Sequence, residues 1–254
     1  LAYSICCDPF GNIYVTGQAG SGATAFPVLN PMGGAYFQPT KTGGSDAIIL
    51  KFNNAGMPLW ATYYGGTGSD EAHAICTDNA GNIFITGLAT NGLPVLNPLG
   101  GAYYQATTNG FGTDVFISKF SNTGMLVWGT FYGGTMNEFM NTSFDNIAID
   151  PCNNVYISFH TVSTNVPTQQ ACDSGYYDNT CNGPSLTWDI ILAKFSHNGK
   201  LLWATYFGGD GDDHRSALAV DKTGNLFVAG EWTAVTGNAT YPLNNPGGGT
   251  YFDG

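Results

Sequence analysis

Basic side chains are scarce in this chain. Seven Lys and Arg stand against eighteen Asp and Glu, for a formal net charge of −11, and three of the seven (Lys51, Lys119 and Lys194) recur at one position of a repeat. Nucleic-acid binding needs clustered cations, so neither nucleic acid nor an anionic membrane surface is an expected partner. No apolar run approaches the roughly 20 residues of a membrane-spanning helix. No signal-peptide pattern is visible, and membrane insertion is not expected. Helical periodicity is missing throughout. So are the G-x-S-x-G and H-E-x-x-H signatures of activated nucleophiles and zinc hydrolases. The four histidines, His73, His160, His197 and His214, show no ligand spacing. The run GQAGSG from Gly17 is followed by no helix pattern, so it reads as a loop rather than a phosphate cradle. No catalytic residue is nominated, and the chain is not expected to be an enzyme.

What is abundant is glycine, 36 of 254 residues, together with 14% aromatics, a composition that suits short strands and tight turns. One stretch occurs three times: DAIILKFNNAGMPLWATYYGG at 46–66, DVFISKFSNTGMLVWGTFYGG at 114–134 and DIILAKFSHNGKLLWATYFGG at 189–209. A second signature lies between the copies: GNIYVTG from Gly11, GNIFITG from Gly81, NNVYISF from Asn153 and GNLFVAG from Gly224, at intervals of 70, 72 and 71 residues. Such a period marks stacked supersecondary units. Strands are expected at 3–7, 12–16, 47–52 and 59–64, then at 73–77, 82–86, 115–120 and 126–132. A third set falls at 146–149, 154–158, 190–195 and 201–207, and a fourth begins at 217–220 and 225–229. The units run approximately 1–70, 71–142 and 143–212, with a partial unit at 213–254 and a loop insertion at 160–188.

Two patterns carry physical weight. Asp8, Asp78, Asp150 and Asp221 each stand three residues before Gly11, Gly81, Asn153 and Gly224. Aspartate caps its own turn and the last position asks for a positive φ, which explains why Asn is the single replacement for Gly. In the fourth strands both faces are apolar. Leu59, Ala61 and Tyr63 oppose Trp60, Thr62 and Tyr64, and the later copies match them. A sheet with one wet side is therefore excluded. Four-stranded sheets stacked around an axis, a β-propeller, satisfy this burial, as does a solenoid.

The spaced motifs D-x-x-G-N-I-Y-V-T-G, F-P or L-P, G-G-A-Y-F-Q and D-x-x-x-x-K-F-x-x-x-G-x-x-x-W-x-T-Y-x-G-G resemble the SBBP-type β-propeller repeat. They stand at 8–17, 26–27, 33–38 and 46–66 and again in the second unit. The third unit departs, with Asn153 and Phe159 in place of glycines and the insertion at 160–188. The resemblance implies an all-β propeller of four-stranded antiparallel blades, about three and a half of them present. It also implies a secreted or cell-surface protein of bacteria, often Bacteroidota with type IX secretion and gliding or adhesive surfaces. The final residues, GGTYFDG, match GGAYFQ from Gly33, so the chain reads as a piece of a longer polypeptide. A ring needs further blades from the same polypeptide or from further copies in an assembly.

Candidate sites follow from where the repeat breaks. Cys172 and Cys181 flank the loop ACDSGYYDNTCNG and are expected to form a disulfide, which requires an oxidising compartment; two exposed thiols are the alternative. Cys6 and Cys76 occupy one strand position and read as small buried residues. In the acidic runs, Asp210, Asp212 and Asp213 are the nominees for calcium, the one cofactor the sequence admits, although their spacing matches no calcium loop. Asp173, Tyr176, Tyr177 and Trp188 in the insertion, with Glu231 and Trp232, are the nominees for binding a surface protein or glycan. Lys51, Lys119 and Lys194 are expected to lie along the core and meet carboxylates, with Asp46, Asp114 and Asp189 as the natural partners. Two functions fit: a structural or adhesive module, or a glycan-binding, lectin-like propeller.

Overall fold

The computed structural model describes residues 1–22, 26–110, 112–140, 146–172, 175–182 and 186–233, and no helix occurs among them. The first sheet joins β1 (Ala2–Cys7), β2 (Ile13–Ala19), β3 (Asp46–Phe52) and β4 (Pro58–Tyr64) in that order. The second joins β5 (Asp70–Thr77), β6 (Ile83–Ala89), β7 (Asp114–Phe120) and β8 (Leu126–Tyr132). In the third, β9 (Glu138–Phe139) and β10 (Ile147–Ile149) both pair with β11 (Val155–Thr161), which continues to β12 (Asp189–Phe195) and β13 (Leu201–Phe207). A two-stranded sheet of β14 (Asp213–Val220) and β15 (Leu226–Trp232) ends the described chain, and all of these pairings are antiparallel.

The first strands lie side by side: β1 against β5, β5 against β10, and β10 against β14. That radial order, with the first strand innermost, is the arrangement of propeller blades rather than of a solenoid. Several first strands start earlier than the alternation of their residues foretells. The pairing slips between Ala72 and Ala74, and again between His214 and Ala217. A bulge of this kind breaks the period of two that a sequence reading relies on.

Each D-x-x-G turn is built as its residues dictate. The Asp8 carboxylate accepts Phe10 N at 2.9 Å, Asn12 N at 2.8 Å and the Tyr14 hydroxyl at 3.0 Å. Burial works to raise the Asp8 pKa, but these donors outweigh it and hold the group below the usual carboxylate range. Gly11, Gly81 and Gly224 have φ of 82°, 76° and 91°, and Asn153 takes the same conformation at 63°.

Between blades the contacts are aromatic. Trp60 and Trp128 are 2% and 1% exposed. The Trp60 ring meets Phe120 of the next blade at 5.7 Å, and Tyr64 meets Phe116 and Phe120 at 5.8 and 5.2 Å. Tyr64 also donates its hydroxyl across the seam to Pro94 O at 2.6 Å, as Tyr132 does to Pro167 O. The second blade has neighbours on both sides, and every residue of its β7 is buried. The repeated lysines lie over rings of their own second strands, Lys51 over Tyr14, Lys119 over Phe84 and Lys194 over Tyr156. Their partners differ from expectation. Lys194 pairs with Asp150 at 3.0 Å, Lys119 reaches Asp78 at 4.0 Å and His197 O at 3.1 Å, and Lys51 donates to Asn122 O. Asp46, Asp114 and Asp189 open the third strands, five residues from the lysines, and at about 3.3 Å per residue they lie out of reach.

The segment 160–188 is not an insertion. The connections from second to third strand span 20–45, 90–113 and 162–188, so the third is only slightly the longest. Its backbone makes the bonds of the other two: Leu29, Leu96 and Gln169 bridge Ala61, Gly129 and Ala204. Likewise Tyr63, Phe131 and Tyr206 N donate to Gln38, Gln105 and Asp178 O. Gln169 and Asp178 therefore hold the places in the strap that Leu29 and Gln38 hold in the first unit, with most side chains between them changed.

Trp128→Ala is expected to cost about 3–5 kcal/mol in urea unfolding, the range for emptying an aromatic site. Trp203→Ala, at a half-buried ring, is expected to cost markedly less.

Candidate functional site

The nominated residues separate into two places. Tyr176 and Tyr177 border a groove of about 670 Å³ with Trp203, Phe207, Leu226 and Val228. Tyr176 is the counterpart of Tyr36 and Tyr103, and Tyr177 that of Phe37 and Tyr104, so neither is an addition to the repeat. Tyr36 packs on Phe120 and its N–H donates to Gly124 O at 2.8 Å; Tyr103 packs on Phe195 and donates to Gly199 O at 2.9 Å. In both cases the partner is the hairpin of third and fourth strands in the following blade. At the third blade no such hairpin is among the described residues, so Tyr176 is 50% exposed and rests on Phe207 at 5.4 Å. The groove occupies the place at which the first and second units receive the hairpin of the following blade. Asp173 lies outside the described residues.

Trp188, Glu231 and Trp232 lie apart from this groove, beside the innermost strands. Trp188 meets Phe139 edge-on at 4.7 Å and His160 at 5.2 Å, while His160 stacks on Phe139 at 5.9 Å and meets His214 at 5.8 Å. Phe139 and His214 are the second residues of β9 and β14. His214 is opposite Glu231, and Asp213 is opposite Trp232. Glu231 pairs with Arg215 at 3.0 Å, both well exposed, an arrangement of small energetic value. Burial, reinforced by His214, pushes His160 down to about 4, so its imidazole is neutral at pH 7.

Sequence reasoning missed Phe139, His160 and His214. The available signal was departure from the repeat: the positions of Phe139 and His214 are filled by Glu71 in the second blade, and that of His160 by Gln18 and Leu88. Chemically the cluster offers flat apolar faces and, at His160, a neutral imidazole. Two imidazoles fall short of a zinc site, and among the described residues no three His, Cys, Asp or Glu are placed to hold an ion.

The calcium nominees are not a coordination set. Asp212 Oδ1 accepts Trp188 N at 3.1 Å, and Asp213, fully buried, accepts Gly209 N at 2.6 Å. Backbone donors thus occupy oxygens that a calcium ion needs, and Asp210 joins neither contact. The expected disulfide is likewise absent: Cys172 and Cys181 are both free thiols. Cys172 is exposed, whereas Cys181 is turned onto the core of the second and third blades, with its Sγ 3.8 Å from Thr187 O. Burial and the nearby Asp189 push the Cys181 thiol up to about 12. Alkylation followed by peptide mapping at pH 8 is expected to label Cys172 quickly and Cys181 slowly, with no mass change on prior reduction. A reducible 172–181 cross-link would contradict this placement.

Comparison with known proteins agrees with the architecture. Residues 59–94 match the model of SBBP, the beta-propeller repeat. They run from the fourth strand of the first blade into the strap of the second. The chain is also similar to an uncharacterized WD repeat-containing protein of Acanthamoeba polyphaga mimivirus, at 26% identity over 91% of this chain. It spans 19% of that protein's length. The chain is an all-β protein of four-stranded antiparallel sheets that carries the SBBP beta-propeller repeat.

Proposed function

We propose that the chain is a non-enzymatic structural or adhesive module of a large secreted or cell-surface bacterial protein. The observation that carries this reading is the use made of the repeated polar residues. The turn aspartates, strand lysines and seam tyrosines are consumed by contacts within and between blades, which among the described residues leaves no acid, base or nucleophile in a repeated cleft. The covered share of the mimiviral relative, 19%, favours a module within a longer polypeptide. Its partners are then neighbouring domains of that polypeptide or further copies in an assembly. The class of organism, and export by a type IX route, rest on the resemblance of the repeat.

The aromatic cluster around Trp188 favours a second reading, a lectin-like propeller that holds a glycan at its axial end. Phe139 and Trp232 are 38% and 37% exposed there, and aromatic faces beside the His160 imidazole suit the apolar side of a sugar.

Antibody against the chain is expected to label intact, unpermeabilised source cells or their medium, on a polypeptide well above 26.8 kDa. Confinement to the cell interior would sink the surface reading. On a glycan array the lectin reading requires a specific ligand whose binding falls at least about tenfold in Trp188→Ala or Trp232→Ala, the loss of a stacking anchor. A blank array leaves the structural module as the better account.

A further inference from the structure

The second and third blades meet at two acids with no cation between them. Asp114 opens β7, Glu138 opens β9, and both side chains are 0% exposed. The two carboxyl groups are within hydrogen-bonding reach of each other. Two carboxylates offer only acceptors, so a hydrogen bond between them exists only if one holds a proton. The other oxygens are saturated with donors. Asp114 Oδ2 takes Gln105 Nε2 and Asn109 N, and Glu138 Oε1 takes Gly134 N, the Thr161 hydroxyl and the Ser163 hydroxyl. Asp114 Oδ1 and Glu138 Oε2 are buried without a further partner.

Buried acids also neighbour one another at the other seams, although Asp46, unlike Asp114, has both oxygens engaged, by Gln38 Nε2 and Thr42 N on Oδ2 and by Gly43 N on Oδ1. Asp46 on β3 faces Asp70 on β5, and Asp189 on β12 faces Asp213 on β14, and all four are 0% exposed. In each case the third strand of one blade lies against the first strand of the next. The Gly-Gly that follows every fourth strand makes room for the pair. A Cβ on Gly133 would stand 2.6 Å from Glu138 Oε2 and 2.8 Å from Asp114 Cγ, and one on Gly65 would stand 2.6 Å from Asp46 Cγ. Gly208 is crowded in the same way by Asp213 and Asp189.

We propose that each blade seam is fastened by a carboxyl–carboxylate pair sharing one proton, so that the stack of blades loosens as the pH rises through neutrality. No Lys, Arg or His is within 4 Å of these acids among the described residues; Lys119, Lys194 and Arg215 are committed to Asp78, Asp150 and Glu231. The titratable neighbours are neutral or acidic. Tyr36 and Tyr64 face the first pair, and Tyr103 and Tyr206 the second. Cys181, Asp178 and Tyr176 face Asp189, while Asp210 and Asp212 face Asp213. A cation site is the poorer account of the same geometry, because N–H and O–H donors rather than carbonyls converge on the pair.

The direction of the pH dependence follows from linkage. Burial raises Asp70 to about 7, and burial with the Asp114 charge raises Glu138 above its ordinary 4.5. Groups raised in the folded state bind more protons folded than unfolded, so stability declines as pH climbs from about 4 through the folded value. The full chain is therefore expected to show a urea midpoint that falls from pH 5 to pH 8. The double variant Asp70→Asn, Glu138→Gln keeps a neutral donor at two of three seams and should flatten that fall by roughly two thirds. The unsubstituted chain should show an infrared band of protonated carboxyl at pH 6, reduced in the variant. If the variant does not fold, that band and the midpoint of the unsubstituted chain carry the test. A flat midpoint, an unchanged slope in the variant, or no protonated carboxyl at pH 6 would overturn the proposal. So would a Ca²⁺-dependent rise of the midpoint at pH 8 that EDTA reverses.

Discussion

A strand with two apolar faces has no stable place in a sheet that keeps one side wet, and this constraint organises the chain. Trp60 on one face of β4 and Tyr63 on the other both need cover, as do their counterparts in the later copies. The second blade meets the demand on both sides, with Phe116, Phe120 and Phe131 packed toward the first blade and Val115, Ile117 and Trp128 toward the third. A blade at the edge of the described stack meets it on one side only. That is why Trp203 is half-buried where Trp60 and Trp128 are enclosed, and why Ile5 and Phe227 are among the large exposed apolar residues. Each repeat is thus incomplete by itself, and stability is a property of neighbouring pairs.

Polar residues within such a stack must answer to the same burial. The D-x-x-G turns do so mainly locally: Asp78 holds Ala80 N, Asn82 N and the Asn82 side chain, all from within four residues. The repeated lysines do so at longer range, running over the ring of the adjacent strand to a turn carboxylate or a hairpin carbonyl. The seam acids have no counter-charge among the described residues, and the glycine pair beside them gives the space their carboxyl groups occupy. These three solutions account for the repeated polar signature without recourse to a ligand. Phe139, His160 and His214 depart from the repeat, and they collect around Trp188 beside the innermost strands.

Much of the fold was legible because the repeat states it more than once. The fourth strands at Leu126–Tyr132 and Leu201–Phe207 begin and end where their alternation places them. The first strands were read short because bulges at Ala72–Ala74 and His214–Ala217 break that alternation. The third strap was misread because VPTQQACDSGYYD keeps little of FPVLNPMGGAYFQ, while the bonds that define it are made by backbone atoms indifferent to the side chains. Trp188, Glu231 and Trp232 were found as breaks in the pattern. Phe139, His160 and His214 were not, because seventy-five residues separate the first from the last and only packing joins them.

From the order of residues alone came the period, the four-strand unit, the positive φ at Gly11 and its counterparts, and the need to bury both faces. All of these are local or averaged over copies, and local propensity with side-chain alternation is enough to state them. Tertiary structure decided which carboxylate each lysine meets, which acids share a seam, where Cys181 points and which aromatic residues form a cluster. Those outcomes depend on the separation of atoms distant in the chain, and the twist and spacing of stacked sheets set that separation while leaving no mark on any single stretch of sequence.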